Sequence, residues 1–192
     1  MPTDVTIDLT FDHSYAVIRL TELPGDGKHS PIYFPGASRT GGKDGILLKF
    51  TRANGEQWMG CFAFGHGQFC GVFALPNPDC VCVVSNGAGY WVYVNEPEKS
   101  SEIRVFPIRD VRAVPYAQIL LFADFTSLSA FGPNGQLWKH PVCWDDLKIQ
   151  DIQGGIVRGV GYDPTNRKRS TMEFAVELAT GRVLVSAYPN EH

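Results

Sequence analysis

Asp124 is the residue whose setting most needs a chemical explanation. In Leu120-Leu121-Phe122-Ala123-Asp124-Phe125-Thr126 the two-residue period of a strand puts it on the side of Leu120, Phe122 and Leu128. A carboxylate on an apolar face is costly unless it is hydrogen-bonded or paired. Asp124 is therefore expected to be at least partly buried and to tie two segments together, taking its bonds from amides of a neighbouring turn or from Arg158. A catalytic carboxylate could be held in the same way, but fixing one segment to another is the commoner use of such a residue.

Other residue types capable of chemistry are scattered. Cys61, Cys70, Cys80 and Cys82 form a C-x8-C-x9-C-x-C series with His66 between the first two. Tetrahedral zinc wants close ligand pairs two to four residues apart, and only Cys80/Cys82 is tight, at an atypical spacing. Cysteine is also among the most buried residue types, so these read as core thiols and no metal ligand is assigned. His66, in Gly65-His66-Gly67-Gln68, could act as a general base, but no partner or nucleophile motif accompanies it, and the tripeptide equally makes a turn. Gly87-Ala88-Gly89-Tyr90-Trp91 lacks the following helix that a phosphate-cradling loop requires. No catalytic residue and no cofactor is assigned.

Aromatic residues beside acids are the remaining signal. Trp144-Asp145-Asp146 and Tyr162-Asp163-Pro164 fall at expected turns, as do Tyr90 and Trp91. Aromatic and carboxylate clusters suit protein interfaces, cations or carbohydrates, whereas Asp caps and Asp-Pro turns are ordinary strand ends. The candidate binding residues are Tyr90, Trp91, Trp144, Asp145, Tyr162 and Asp163.

The elements that must position these residues read as strands. Twenty Gly and thirteen Pro, spread throughout, would break long helices. Twelve segments have β patterning: 5–10, 15–21, 46–51, 57–64, 80–85, 90–94, 103–106, 119–131, 136–139, 156–162, 172–178 and 182–187. Only 142–150 suggests helix, at most one turn over Trp144-Asp145-Asp146-Leu147. Asn54-Gly55, Asn134-Gly135 and Thr180-Gly181 each separate two strand-like runs, and Asn-Gly is expected to supply the positive φ angles of a two-residue hairpin. With Asn95-Glu96-Pro97 they mark units of about 40 residues, the length of a propeller blade. The expected fold is all-β, with antiparallel hairpin units in a propeller-like or open meander arrangement. A closed propeller of four or five four-stranded blades needs about 16–20 strands, more than these twelve segments, so either weak strands hide in the loops, or the meander is open or incomplete, or the arrangement is a sandwich. Residues 1–192 read as one domain, with a semi-independent N-terminal hairpin over 1–22 and a Gly/Pro-rich linker over 23–44.

Composition sets outer bounds. The chain has 192 residues, 44% hydrophobic, enough for a core without disulfides or metal. Its net charge of −3 is interspersed, and the one basic cluster, Arg167-Lys168-Arg169, is a solvated loop, so nucleic acid is not an expected partner. No apolar run reaches the ~18 residues of a membrane span, and residues 1–13 lack a leader pattern. Five cysteines, an odd number without regular spacing, point to reduced thiols in the cytoplasm.

Two segments resemble quinoprotein-type propeller repeats, whose pattern is A-x-D-x-x-T-G-x-x-L-W. One is Thr180-Gly181-Arg182-Val183-Leu184 after Ala175-Val176-Glu177, with Glu177 for the Asp and Val185 for the Trp. The other is Ala130-Phe131-Gly132-Pro133-Asn134-Gly135-Gln136-Leu137-Trp138, with its Trp one residue early. The resemblance implies antiparallel blades, not that family's quinone or activity. The phrases NPDCVCVVSNGAGYWVYV and FADFTSLSAFG are similar to bacterial proteins of unassigned function. The expected function is a non-catalytic binding or scaffold protein that recognises another protein through aromatic-rich loops. The alternative is a hydrolase acting on a small or carbohydrate-like substrate, using Asp145, Asp163 or His66 in a cleft. Pairing of exposed strand edges into a homo-oligomer is the third class.

Overall fold

The computed structural model describes residues 4–23, 30–38, 44–164 and 171–186. The chain divides into two compact units, Met1–Ile108 and Arg109–His192. Among the described residues there are seventeen strands in four sheets, and the only helices are two short 3-10 turns. No helix among them is long and apolar enough to cross a membrane.

The first unit holds β1 (Thr6–Asp8), β2 (Ala16–Leu20), β3 (Ile32–Phe34), β4 (Gly45–Thr51), β5 (Gln57–Ala63), β6 (Gly71–Ala74), β7 (Cys80–Ser85), β8 (Ala88–Tyr93) and β9 (Ser101–Ile103). They form two sheets, ordered β2-β4-β5-β3 and β1-β6-β7-β8-β9. Strand β4 shows why: Ile46, Leu48 and Phe50 alternate with Leu47, Lys49 and Thr51, so one face is buried and the other half-covered. Val17, Ile46, Leu48, Phe50 and Phe62 share a core with Val72, Val81, Val83 and Val92. Phe34 stacks on Phe62 at 4.6 Å and Phe50 on Trp58 at 4.4 Å. Polar tips on these aromatic bodies find backbone acceptors: Trp58 Nε1–H donates to Val94 O at 3.0 Å and Tyr15 Oη–H to Cys80 O at 3.0 Å.

The second unit holds β10 (Asp110–Val114), β11 (Ile119–Ala123), β12 (Ser127–Gly132) and β13 (Gly135–Pro141), then β14 (Asp145–Gln153), β15 (Ile156–Tyr162), β16 (Thr171–Glu177) and β17 (Val183–Val185). Each set is a four-stranded antiparallel meander in sequence order. Leu121, Ala123, Leu128 and Ala130 of the first meander share a core with Leu147, Ile149, Val157, Phe174 and Val176 of the second. Trp138 joins them, its indole N–H donating to Leu178 O at 2.9 Å. Gly181, at φ +73°, lies so close to the Trp138 ring that a β-carbon there would meet Cδ2 at 2.6 Å.

The all-β expectation holds, with four sheets of four or five strands, and several details differ. Residues 142–150 contain no helical turn: β14 begins at Asp145, because Leu147 and Ile149 enter the core at strand spacing. The run 119–131 is two strands, broken at Asp124-Phe125-Thr126, where β11 folds back on β12. The N-terminal strands do not form a hairpin. Strand β1 lies parallel to β6, all four residues of which are buried, and β2 lies antiparallel to the seven-residue β4, so each pairs with a more apolar or longer strand than the other could offer. Strand β3, which pairs parallel with β5, falls inside the expected linker 23–44, of which residues 24–29 and 39–43 lie outside the described residues. Arg167-Lys168-Arg169 also lies outside them. The Asn-Gly turns differ among themselves: at 54–55 and 134–135 only the Gly has positive φ, whereas Asn86 and Gly87 are both positive, at 46° and 78°.

Candidate protein-contact site

The candidate site is built in the second unit from the Asp124 turn. Asp124 is 7% exposed, and its Oδ1 accepts the backbone N–H groups of Thr126 at 2.8 Å and Ser127 at 2.7 Å. The Asp side chain thus imitates a backbone turn acceptor, the ordinary Asx arrangement. Its Oδ2 lies 3.6 Å from Lys139 Nζ on β13, so the expected tie between segments is present but is the lesser contact. Arg158 serves elsewhere, 3.4 Å from Asp151.

The turn sets Phe125 at its tip, 43% exposed, and turns its carbonyls toward the segment leading into β14. Thr126 O accepts the N–H groups of Val142 at 2.9 Å and Cys143 at 3.3 Å, and Phe125 O accepts that of Leu147 at 3.1 Å. Cys143, fully buried at this junction, donates its thiol to Asp145 O at 3.3 Å. Burial pushes that thiol up to about 11, against the opposing hydrogen bond to Asp145 and with help from the nearby Asp145, Asp124 and Asp146 charges.

From this anchor the chain presents its aromatic residues. Trp144 N–H donates to Tyr162 O at 3.1 Å, and Asp145 stands opposite Tyr162 in the β14–β15 register. Trp144 is 41% exposed and Tyr162 42%. A bulge between Asp145 and Lys148 puts Asp146 at φ +50°, which swings its carboxylate out to meet two cations. Lys148 Nζ donates to Asp146 Oδ2 at 2.6 Å, and Arg109 Nη1 lies 3.7 Å from Asp146 Oδ1. The hydrogen bond from Lys148 is the main reason the Asp146 carboxyl is held below its usual range. Arg109 also covers Phe125, with Cζ 4.4 Å from the ring centroid. Phe125, Arg109, Asp146 and Lys148 are thus one connected group, joined through the backbone to Trp144, Asp145, Tyr162 and, half-buried beyond the strand end, Asp163.

Two candidates are corrected. Tyr90 and Trp91 are not loop anchors but residues of β8 in the first unit, 3% and 6% exposed. The Gly-rich segment before them continues a strand whose pairing on both sides buries them. Tyr90 Oη–H donates to Ala63 O at 2.9 Å, and the Trp91 indole N–H faces the Cys80 thiol. His66 is exposed in the first unit, edge-on to Phe106 at 6.3 Å. All five cysteines are buried and free, and the described residues gather no group of three or more His, Cys, Asp or Glu in metal-binding proximity. A groove of about 280 Å³ on the second unit is lined by Gln150, Asp151, Arg158 and Glu173 among others, and includes neither Asp145 nor Asp163.

Phe125, Arg109 and Lys148 escape a reading by residue type. The D-F-T-S letters around Asp124 could have marked Phe125 as a turn tip. Nothing local connects Arg109 to it; only the return of β11 beside β10 does.

No family model matches the chain, and no curated protein matches its sequence. Among solved structures it is similar, at 12% identity and TM-score 0.44, to a chain of the S. cerevisiae Dbp5 complex with Nup159, Gle1, IP6 and ADP, over 94% of this chain and 51% of that one. It is similar at 13% identity and TM-score 0.45 to the N-terminal domain of Nup159, over 93% of this chain and 52% of that one. The chain thus spans about half the length of these two solved chains.

Proposed function

We propose that this chain is a non-catalytic protein-binding module that takes its partner on the Phe125–Trp144–Tyr162 surface of the second unit. The observation that carries the reading is the exposure of three large aromatic residues, each above 40%, on a backbone pinned by hydrogen bonds. Aromatic and Arg side chains held rigid in advance lose little entropy on contact and supply much of the energy of protein interfaces. Opposite charges are interspersed among them, Arg109 and Lys148 with Asp145 and Asp146, which favours a mixed protein surface over a polyanion such as nucleic acid. Five buried free thiols suit a reducing, cytoplasmic compartment.

The test is affinity capture from the native host with the full chain, compared with Phe125→Ala and Trp144→Ala. Loss of the same captured protein in both variants at unchanged melting temperature supports the surface. Retention in both refutes it. Turnover of a glycoside or ester panel that vanishes in Asp145→Asn would favour the hydrolase reading instead.

A further inference from the structure

The first unit carries a smaller site built from different residues. A pocket of about 160 Å³ opens between the end of β3 and the β8–β9 pair, lined by Phe34, Pro35, Gly36, Tyr90, Ser100, Ser101 and Glu102. It is well below the roughly 300 Å³ at which whole-ligand pockets begin, so it suits the end of one side chain.

Its chemistry has one sign. Glu102 stands directly opposite Tyr90 in the β8–β9 register, which places the carboxylate and the phenol ring on one face of the sheet. Glu102 is exposed and has no ion-pair or hydrogen-bond partner among the described residues. The residues lining the pocket bring it no cation: Tyr90 Oη–H is committed to Ala63 O, and Ser100 and Ser101 are neutral hydroxyls. The nearby Lys99 is held by Glu96 at 2.7 Å. The aromatic walls are fixed, with Phe34 stacked on Phe62 and edge-on to Tyr90 at 6.4 Å. An unpaired carboxylate against aromatic rings is the setting that attracts a guanidinium.

The second observation is the strand beside it. β9 is the outermost strand of its sheet, paired with β8 on one side and with no strand on the other among the described residues. Such an edge can accept one more extended segment through main-chain bonds, while pockets beside it choose the side chains.

We propose that an extended peptide adds to the β9 edge and inserts an arginine side chain into the Glu102–Tyr90 pocket. This site is separate in residues from the Phe125 surface, and its success or failure leaves that reading untouched. The experiment is amide-resolved NMR titration of the full chain with the acetylated, amidated pentapeptide Thr-Val-Arg-Val-Thr, and with its citrulline counterpart, isosteric but uncharged. The expected result is saturable shifts at Gly36, Tyr90, Ser101 and Glu102, with affinity falling roughly tenfold or more for citrulline and again in Glu102→Gln. Glu102 is exposed, so that variant should keep the wild-type melting temperature. Phe125→Ala should bind the peptide as the wild type does. Absence of saturable shifts at these amides, equal affinity for citrulline, or unchanged affinity in Glu102→Gln would each overturn the proposal.

Discussion

Replacing Asp124 by Ala tests the turn on which the contact surface is built. The substitution removes the acceptor of two backbone N–H groups, at 2.8 and 2.7 Å, and the Ser127 amide stays buried once the carboxylate is gone. A buried donor left unpaired costs about 1–3 kcal/mol, and bonds to a charged acceptor lie toward the upper end. The more accessible Thr126 amide can turn to water and adds about 1 kcal/mol or less. The Lys139 contact, 3.6 Å long with the lysine 39% exposed, adds under ~1 kcal/mol after screening. The sum is about 3 kcal/mol, or roughly 6–12 °C in melting temperature for a chain of this size. Asp124→Asn keeps an acceptor oxygen and should cost about 1 kcal/mol. Lys139→Ala should cost less still, under ~1 kcal/mol. Urea unfolding followed by ¹⁹F signals of 5-fluorotryptophan would read this where it acts, since Trp138 and Trp144 report on the second unit and Trp58 and Trp91 on the first. A loss in Asp124→Ala below ~0.5 kcal/mol, or one equalled by Lys139→Ala, would refute the assignment of the stabilisation to the turn amides.

The remaining expectations are briefer. Trp144→Ala should change stability by under ~1 kcal/mol, because the side chain is 41% exposed, while Trp138→Ala should cost about 3–5 kcal/mol; thermal melts of the two separate surface from core. Tyr90→Phe, which deletes the bond to Ala63 O, should cost about 1 kcal/mol by denaturant titration. Gly181→Ala combines positive φ with a clash against Trp138, so calorimetry should show a loss above ~1 kcal/mol. Burial raises the Cys80 and Cys143 thiols to about 11 in the folded protein, so between about pH 9 and 11 the unfolded chain releases these protons first. Stability should therefore be intact below pH 9 and fall as pH rises through that window, more shallowly in Cys80→Ala than in the wild type.

Much of the architecture could be read from the letters because strand alternation and turn residues are local signals. Strand β4 and the β12–β13 turn sit where GILLKFT and Pro133-Asn134-Gly135 place them. Strand β3 was hidden because it is three residues long and its partner β5 lies well along the chain, β6 because it has only four residues, and β10 because Asp110 and Arg112 dilute the apolar pattern of its five. β14 was hidden because a bulge at Asp146 interrupts its alternation, and Trp144-Asp145-Asp146-Leu147 then imitates a helical turn. Asp124 was legible as a buried carboxylate, since an acid on an apolar face has few resolutions. Tyr90 and Trp91 were misread as loop residues: two glycines before an aromatic pair look like a turn until strands on both sides are seen to claim them. The ionic half of the candidate site, Arg109 with Asp146, was out of reach because only tertiary return brings the two together.

The Asn-Gly turns carry a consequence for where this chain can be lengthened. At Gly55 and Gly135 an added β-carbon would meet nothing within 4 Å, so these tips open outward. Gly87 is hemmed in by Pro107 and Gly67, its N–H donates to Phe69 O, and its carbonyl accepts Ile108 N–H. Asn86 accepts the Cys70 thiol and Gly67 N–H as well. An epitope tag or a whole guest domain spliced at 54–55 or 134–135 should leave the fold intact. The same insert at 86–87 would pull apart three stretches of backbone at once. Identical dipeptides thus differ as splice points, and a tagging strategy for the first unit should favour residue 55 over residue 87.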